Sequence, residues 1–242
     1  MCSLIVLRGI SSEHPLIIAA NRDEQVTRKA SPPGIWLGER RRVLSPRDRV
    51  ADGTWLGVND LGCFAGLTNV YGDAAVAGAP SRGHLPHIAL DHDCLDDGVD
   101  AVLSLVGREP HSSFQLVVAD RDRIVVIRHA AGEVACQEWS GPALSITNEH
   151  AAGEWSPRYL EPALAPGLEL SARLNALAVT VKDRGGEGHH TVCKHGDTYA
   201  TVSSSLIAVP ADGVAGLSWL YAPGPPGAAR YRDYSNLARR LA

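Results

Sequence analysis

The sequence has no apolar run longer than about six residues, far short of the roughly 20 that span a bilayer. It also has no basic face. Its 23 Lys and Arg stand against 27 Asp and Glu, a net charge of −4 with pI near 6.2. That balance leaves no electrostatic footprint for nucleic acid or an anionic membrane. The one dense basic run, Arg40-Arg41-Arg42, is short and reads as a solvated loop or strand edge. There is no Walker loop, no dinucleotide fingerprint and no G-x-S-x-G, so none of those chemistries is signalled. The five cysteines (Cys2, Cys63, Cys94, Cys136, Cys193) are odd in number, widely spaced and free of any CxxC, which argues against a disulfide framework and a structural zinc site. Internal repeats and low-complexity tracts are missing too. Arg8 and Glu13 interrupt the N-terminus before any signal-peptide core develops, and the expectation is a cytoplasmic protein.

What is present is a chain of 242 residues with 45% hydrophobic content, enough for a sizeable core and a single domain over 1–242. Strands are expected at Ser3 to Leu7, Leu16 to Ala20, Arg42 to Leu44, Thr54 to Val58, Cys63 to Leu67, Phe114 to Ala119, Ile124 to His129, Glu133 to Glu138, Ala143 to Ile146, Tyr199 to Val209 and Gly216 to Tyr221. Helical spacing follows an N-cap at Ser81 and recurs at Val99, Val102, Leu103 and Val106. Further helices are expected from Pro157 to Leu164, across Leu170 to Val181 and in the tail at Asn236 to Leu241. Residues 183–190 read as a glycine-rich flexible loop. Several strands, such as Leu4-Ile5-Val6-Leu7 and Leu116-Val117-Val118-Ala119, are apolar at every position, so both faces are buried. The connections between them are too short for parallel crossovers. The fold expected is therefore α+β, a four-layer α/β/β/α sandwich of two antiparallel sheets; three layers around one large sheet would fit nearly as well.

Chemistry concentrates at the N-terminus. If Met1 is removed, Cys2 becomes the first residue, with a thiol beside a free α-amine that can act as its base. A hairpin of the first two strands would bring Asn21-Arg22-Asp23-Glu24 alongside. There Asp23 could orient the amine or thiol, and Arg22 could lower the thiol pKa or hold a substrate carboxylate. Asn69 and Asn148 each follow a Thr at the end of an apolar strand, and a side-chain amide is a suitable donor to an oxyanion. Each of these also has a plainer reading: a small buried cysteine, a charged strand terminus, asparagines in turns.

Taken together, Cys2 after Met1, Asn21-Arg22-Asp23-Glu24, Gly53-Thr54-Trp55-Leu56-Gly57, Leu67-Thr68-Asn69, Ser81-Arg82-Gly83, Thr147-Asn148 and Ser203-Ser204-Ser205 resemble, in order, the transport-and-Golgi-organisation (NRDE) family. The resemblance covers nearly the whole chain. It implies the N-terminal nucleophile hydrolase fold and similarity to choloylglycine hydrolases and penicillin V acylases. By motif, Cys2 then resembles their nucleophile, Asp23 their orienting aspartate, and Asn69 and Asn148 their oxyanion-side asparagines. Two departures stand out. Val202 occupies a late-strand position where arginine is usual, and Ala51-Asp52-Gly53 replaces a more usual Gly-Gly before Thr54-Trp55. The function implied is a cysteine amidohydrolase cleaving a non-peptide C–N amide bond through an acyl-enzyme on Cys2, with a small-molecule amide or acyl substrate. The alternative implied by the same family is a non-catalytic binding or trafficking protein that handles haem or lipid. No metal or cofactor is expected. His189-His190 with Cys193 and His195, and His92-Asp93-Cys94, contain ligand residue types but read as surface segments.

Overall fold

The computed structural model describes residues 2–73, 75–186 and 190–242. The first hairpin forms as the apolar runs require. β1 (Ser3–Arg8) and β2 (Leu16–Gln25) pair antiparallel, with Ser3 opposite Asn21 and Leu4 opposite Ala20. The remaining strands are β3 (Ala30–Leu37), β4 (Arg42–Asp48), β5 (Leu56–Asn59), β6 (Phe64–Asn69), β7 (Phe114–Ala119), β8 (Ile124–Ala130), β9 (Glu133–Glu138), β10 (Ala143–Thr147), β11 (Tyr199–Val209), β12 (Ser218–Ala222) and β13 (Arg232–Asp233). Six of them form one sheet in the order β10-β1-β2-β11-β12-β13, and the other seven run β3 to β9 in sequence order.

Burial on both strand faces has a direct cause in the layering. Leu4, Val6, Leu16 and Ile18 point between the sheets and meet Leu56, Val58, Phe64 and Val117. Their alternating neighbours Ile5, Leu7, Ile17 and Ala19 point outward onto Leu174, Leu177 and Val181, at or beside the helix Leu170–Thr180. On the far side, Ala65, Leu116 and Val118 pack under α1 (Leu85–Leu90) and α2 (Leu95–Val106). Three separate apolar interfaces mean four layers, which excludes the three-layer alternative. No described helix is long and apolar enough to cross a membrane.

Three elements differ from expectation. β3 runs through residues that read as loop, because Pro32 and Pro33 remove ladder donors. It survives as an edge strand with a register break between Ser31 and Gly34. The helix expected from Pro157 begins only at Glu161 and lasts four residues. Ser81 caps a single 3-10 turn, Arg82–His84, its Oγ accepting from the Gly83 N–H at 3.2 Å, ahead of α1.

One half-buried group of α1 ties the fold to pH. His87 packs against Trp36 (ring centroids 4.6 Å apart) with Nε2 3.2 Å from Ser45 Oγ. Burial, followed by the nearby His84 and Arg47 charges, pushes its pKa down to about 4. A histidine held neutral in the fold but titrating near 6.5 when unfolded contributes fully above pH 6.5. That contribution is lost as pH falls toward 4, on the order of 3 kcal/mol in total. Urea unfolding should therefore show wild type losing about 2 kcal/mol more stability between pH 7 and 4.5 than His87→Gln. Equal losses would remove His87 from the acid response.

Candidate active site

β1 lies between two partners, with Ser3 facing Thr147 of β10 on one side and Asn21 of β2 on the other. One residue earlier, Cys2 falls between Asn148, just past β10, and the Arg22-Asp23 pair of β2. The Cys2 N–H donates to Asn148 Oδ1 at 2.6 Å, and Cys2 Sγ lies 4.0 Å from the Asp23 carbonyl oxygen. Two strands that sequence places 146 positions apart are thus joined at the candidate nucleophile through one side-chain amide.

Asp23 is 4% exposed. Its Oδ1 accepts from Thr201 Oγ1 at 2.6 Å, and Thr201 Oγ1 in turn accepts from the Lys194 N–H at 2.8 Å. The Asp23 carbonyl accepts from Tyr199 OH at 2.7 Å, and Tyr71 OH stands 3.1 Å from that phenol. Burial raises the pKa of the Asp23 carboxyl, with the Thr201 bond and Lys194 working in the opposite direction. Burial also raises the Cys2 thiol, and the Asp23 charge adds to it, while Arg22 opposes. A thiol raised in this way stays protonated at neutral pH, so a nucleophilic role for Cys2 would require a base beside it.

The Asn148 amide is asymmetric. Its Oδ1 is occupied by Cys2, whereas its buried Nδ2 has no aligned hydrogen-bond acceptor among the described residues. Burial raises the pKa of the Tyr71 phenol, and its side-chain contact with Asn148 works in the opposite direction. Asn69, the last residue of β6, approaches from the other sheet and lines a pocket of about 150 Å³ together with Cys2, Arg22, Asp23, Trp55 and Arg82. A larger cavity of about 410 Å³ lies at the opposite strand ends around Cys63, Cys94 and Asp122, and contains none of these groups.

Arg22 reaches the pocket wall with its charge already matched. It is 5% exposed, bonds Asp48 Oδ2 at 2.6 Å and stacks 4.3 Å above the Trp55 ring. Asp48 also accepts from Arg28 at 2.7 Å. Burial works against its charge, but the Arg28 bond and the Val50 and Ala51 N–H groups prevail and hold its carboxyl below the usual range. Arg82 differs: one N–H donates to the Ser113 carbonyl at 2.6 Å, and no carboxylate among the described residues lies within ion-pair distance. Its segment is fixed by backbone contact, since the Thr54 N–H donates to the Gly83 carbonyl at 2.8 Å. A Cβ on Gly53 would stand 2.5 Å from that carbonyl, so only glycine allows the approach.

Of the residues singled out from sequence, Cys2, Arg22, Asp23 and Asn69 share one pocket and Asn148 is bonded to Cys2. Tyr71, Tyr199, Thr201 and Arg82 were not singled out individually, because their partners come from distant strands. Asn21, which opens the Asn-Arg-Asp-Glu stretch, is an anchor: its Nδ2 donates to the carbonyls of Val181 and Val192 at 2.8 and 3.0 Å. Val202 sits at the register break of β11 between Thr201 and Ser203. Asp52 has φ 58, a conformation glycine adopts freely, which accounts for glycine being usual there. One surface reading needs correction. Cys193 is buried, with Sγ 3.4 Å from His195 Nε2, because the 190s fold back onto β11. Cys94 is exposed but caps α2, accepting from the Asp97 N–H at 3.4 Å. His189 lies outside the described residues.

Because burial is the largest influence on Asp23, replacing it with asparagine separates stability from chemistry. Asp23→Asn should melt no lower than wild type at pH 7, while alkylation of Cys2 by iodoacetamide changes in rate and pH profile. A lower Tm would show that the carboxylate stabilises the fold.

The model of the family described as Transport and Golgi organisation 2 matches residues 1–161. The chain belongs to that family. Transport and Golgi organization protein 2 homologs from Bos taurus and Homo sapiens are 37% and 34% identical to it over 112 and 128 residues. Those alignments take in 43% and 50% of this chain and 38% and 42% of the two relatives, so the match spans about two fifths of their length. Among solved structures, a Caenorhabditis elegans N-acylethanolamine-hydrolyzing acid amidase ortholog superposes with TM-score 0.56 at 12% identity, covering 86% of this chain and 92% of that one. A variant of the conjugated bile acid hydrolase from Clostridium perfringens superposes with TM-score 0.57 at 9% identity, covering 96% and 92%. At such identities the likeness establishes the fold, an N-terminal nucleophile hydrolase sandwich, for this Transport and Golgi organisation 2 family member.

Proposed function

We propose that this protein is a cysteine amidohydrolase whose nucleophile is Cys2 after removal of Met1. The observation that carries the reading is the Asn148 amide, whose oxygen holds the Cys2 nitrogen while its buried Nδ2 has no aligned acceptor among the described residues. In the reaction, the α-amine of Cys2 takes the thiol proton as Sγ attacks the amide carbonyl. The carbonyl oxygen becomes an oxyanion, which receives hydrogen bonds from Asn148 Nδ2 and Asn69. As the tetrahedral intermediate collapses, the C–N bond breaks and the leaving amine takes the proton back from the α-ammonium. Water, deprotonated by the same amine, then attacks the thioester and releases a carboxylic acid and the free thiol. Asp23, fixed by Thr201 and Tyr199, orients the amine.

Pocket size and charge bear on the substrate. A pocket of about 150 Å³ is smaller than the roughly 300–1,000 Å³ of sites that enclose drug-sized ligands, which favours a compact acyl group with the amine portion outside. Arg82, with no carboxylate partner described, favours an anionic group on the substrate. The relatives in fold are named for cleaving N-acylethanolamines and conjugated bile acids, which makes N-acyl amides the class to test. The experiment is a panel of N-acyl amines with short and long acyl chains, with and without a carboxylate, assayed on Met1-free protein beside Cys2→Ala. Turnover of short, anionic members that disappears in Cys2→Ala is expected. No turnover above the variant on any member would overturn the reading and favour a binding role with haem or lipid as cargo.

A further inference from the structure

Immediately beyond Asn148 the chain carries two metal-compatible side chains, and a third reaches them from the segment before β11. One carboxylate oxygen of Glu149 and one ring nitrogen from each of His150 and His190 lie within 4.8 Å of one another. Glu149 Oε2 is 3.6 Å from His190 Nδ1, and the two imidazoles meet edge to face with centroids 4.8 Å apart at 88°.

The second observation is the state of His190. Its side chain is only 10% exposed, yet its buried Nε2 has no hydrogen-bond partner among the described residues. A ring whose one nitrogen faces a carboxylate and whose other is orphaned is not held by a competing hydrogen bond from the described residues. His150 is held for the same purpose. Its Nδ1 lies 3.0 Å from Thr147 Oγ1, and its carbonyl accepts from Gln115 Nε2 at 3.2 Å and from the Thr147 N–H at 3.1 Å. With Nδ1 facing the rotatable Thr147 hydroxyl, Nε2 is the nitrogen available to an ion, in the arrangement by which outer groups orient ligating histidines. Trp155 stacks on His150 (6.0 Å, 27°) and meets His190 (5.2 Å, 66°), walling the cluster with apolar surface.

We propose that Glu149, His150 and His190 form a binding site for a divalent first-row metal ion of the zinc type, adjacent to but separate from the Cys2 pocket. Donors each about 2.0–2.2 Å from one ion stand at most about 4.4 Å apart, so the three close on it with side-chain shifts under about 1 Å. Two imidazoles and one carboxylate suit zinc better than calcium or magnesium, and leave a fourth position for water. The ion ties the residues after Asn148 to the segment leading into β11. Since Asn148 bonds Cys2, occupancy stiffens one wall of the candidate active site.

The test uses the full, tag-free chain titrated with Zn²⁺ by calorimetry and with Co²⁺ by absorption spectroscopy. One ion per chain is expected, with Co²⁺ d–d bands of a low-coordinate nitrogen and oxygen site and no thiolate charge-transfer band. His190→Ala and the more exposed Glu149→Gln should each weaken binding at least about tenfold, while far-UV circular dichroism melts confirm that both are folded. No binding at millimolar metal, equal binding by both folded variants, or a thiolate band showing cysteine ligation would each overturn the site. None of these readouts depends on amide turnover, so the metal site and the proposed activity fail separately.

Discussion

Cys2→Ala is expected to lower amide turnover by at least about 10³-fold with KM little changed, because the variant lacks the atom that forms the acyl-enzyme. Alanine is as acceptable as cysteine behind a removable initiator methionine, so processing is preserved and only the thiol is lost. The backbone bond from residue 2 to Asn148 Oδ1 needs no side chain, and the fold should persist, with a Tm within a few degrees of wild type. Cys2→Ser keeps a hydroxyl, but a far less acidic nucleophile next to the same amine should leave most of the loss in place. Parallel falls in kcat and kcat/KM would locate the effect in the chemical step. Unchanged turnover in both variants would remove Cys2 from the mechanism.

Asn148→Ala is the second large effect, with kcat expected to fall by about 10²- to 10³-fold, or roughly 2.7–4 kcal/mol of transition-state stabilisation. Two functions of one amide are lost together: the acceptor that holds the Cys2 nitrogen and the Nδ2, without an aligned acceptor among the described residues, that points the reading toward an oxyanion site. Asn69 lines the same pocket from β6 but has no comparable bond to residue 2, so Asn69→Ala should cost less. A change in KM alone for Asn148→Ala would make the amide a substrate-binding group and not part of the oxyanion site.

The layering was legible because it is written in strand composition. Strands such as Leu4 to Leu7 have no polar face, and their short connections force antiparallel neighbours, so antiparallel sheet covered on both faces follows, while the choice of four layers over three came from the structure. β3 was not legible, since Pro32 and Pro33 argue against a strand until its edge position is known. At the site, the local component could be read: Cys2 and the Asn-Arg-Asp-Glu stretch are joined by one hairpin, and the two Thr-Asn strand ends are visible as pattern. The non-local component could not. Nothing in the residues around Asp23 shows that a strand 176 positions further on will supply the Tyr199 and Thr201 bonds to it. Arg22 offers the sharper contrast. Beside Asp23 and Glu24 it looked available to a substrate or the thiol, yet tertiary packing gives its guanidinium to Asp48. His190 is similar, a surface residue by its glycine-rich context and nine-tenths buried in the fold.

The most direct measurement is acid-quench mass spectrometry of the protein mixed with an activated amide or thioester-forming acyl donor, combined with N-terminal sequencing. The account predicts a chain that begins at Cys2 and carries one acyl group on the Cys2 sulfur, accumulating before product release and absent from Cys2→Ala. An active protein that retains Met1, or an acyl group that forms on another residue and persists in Cys2→Ala, would contradict it.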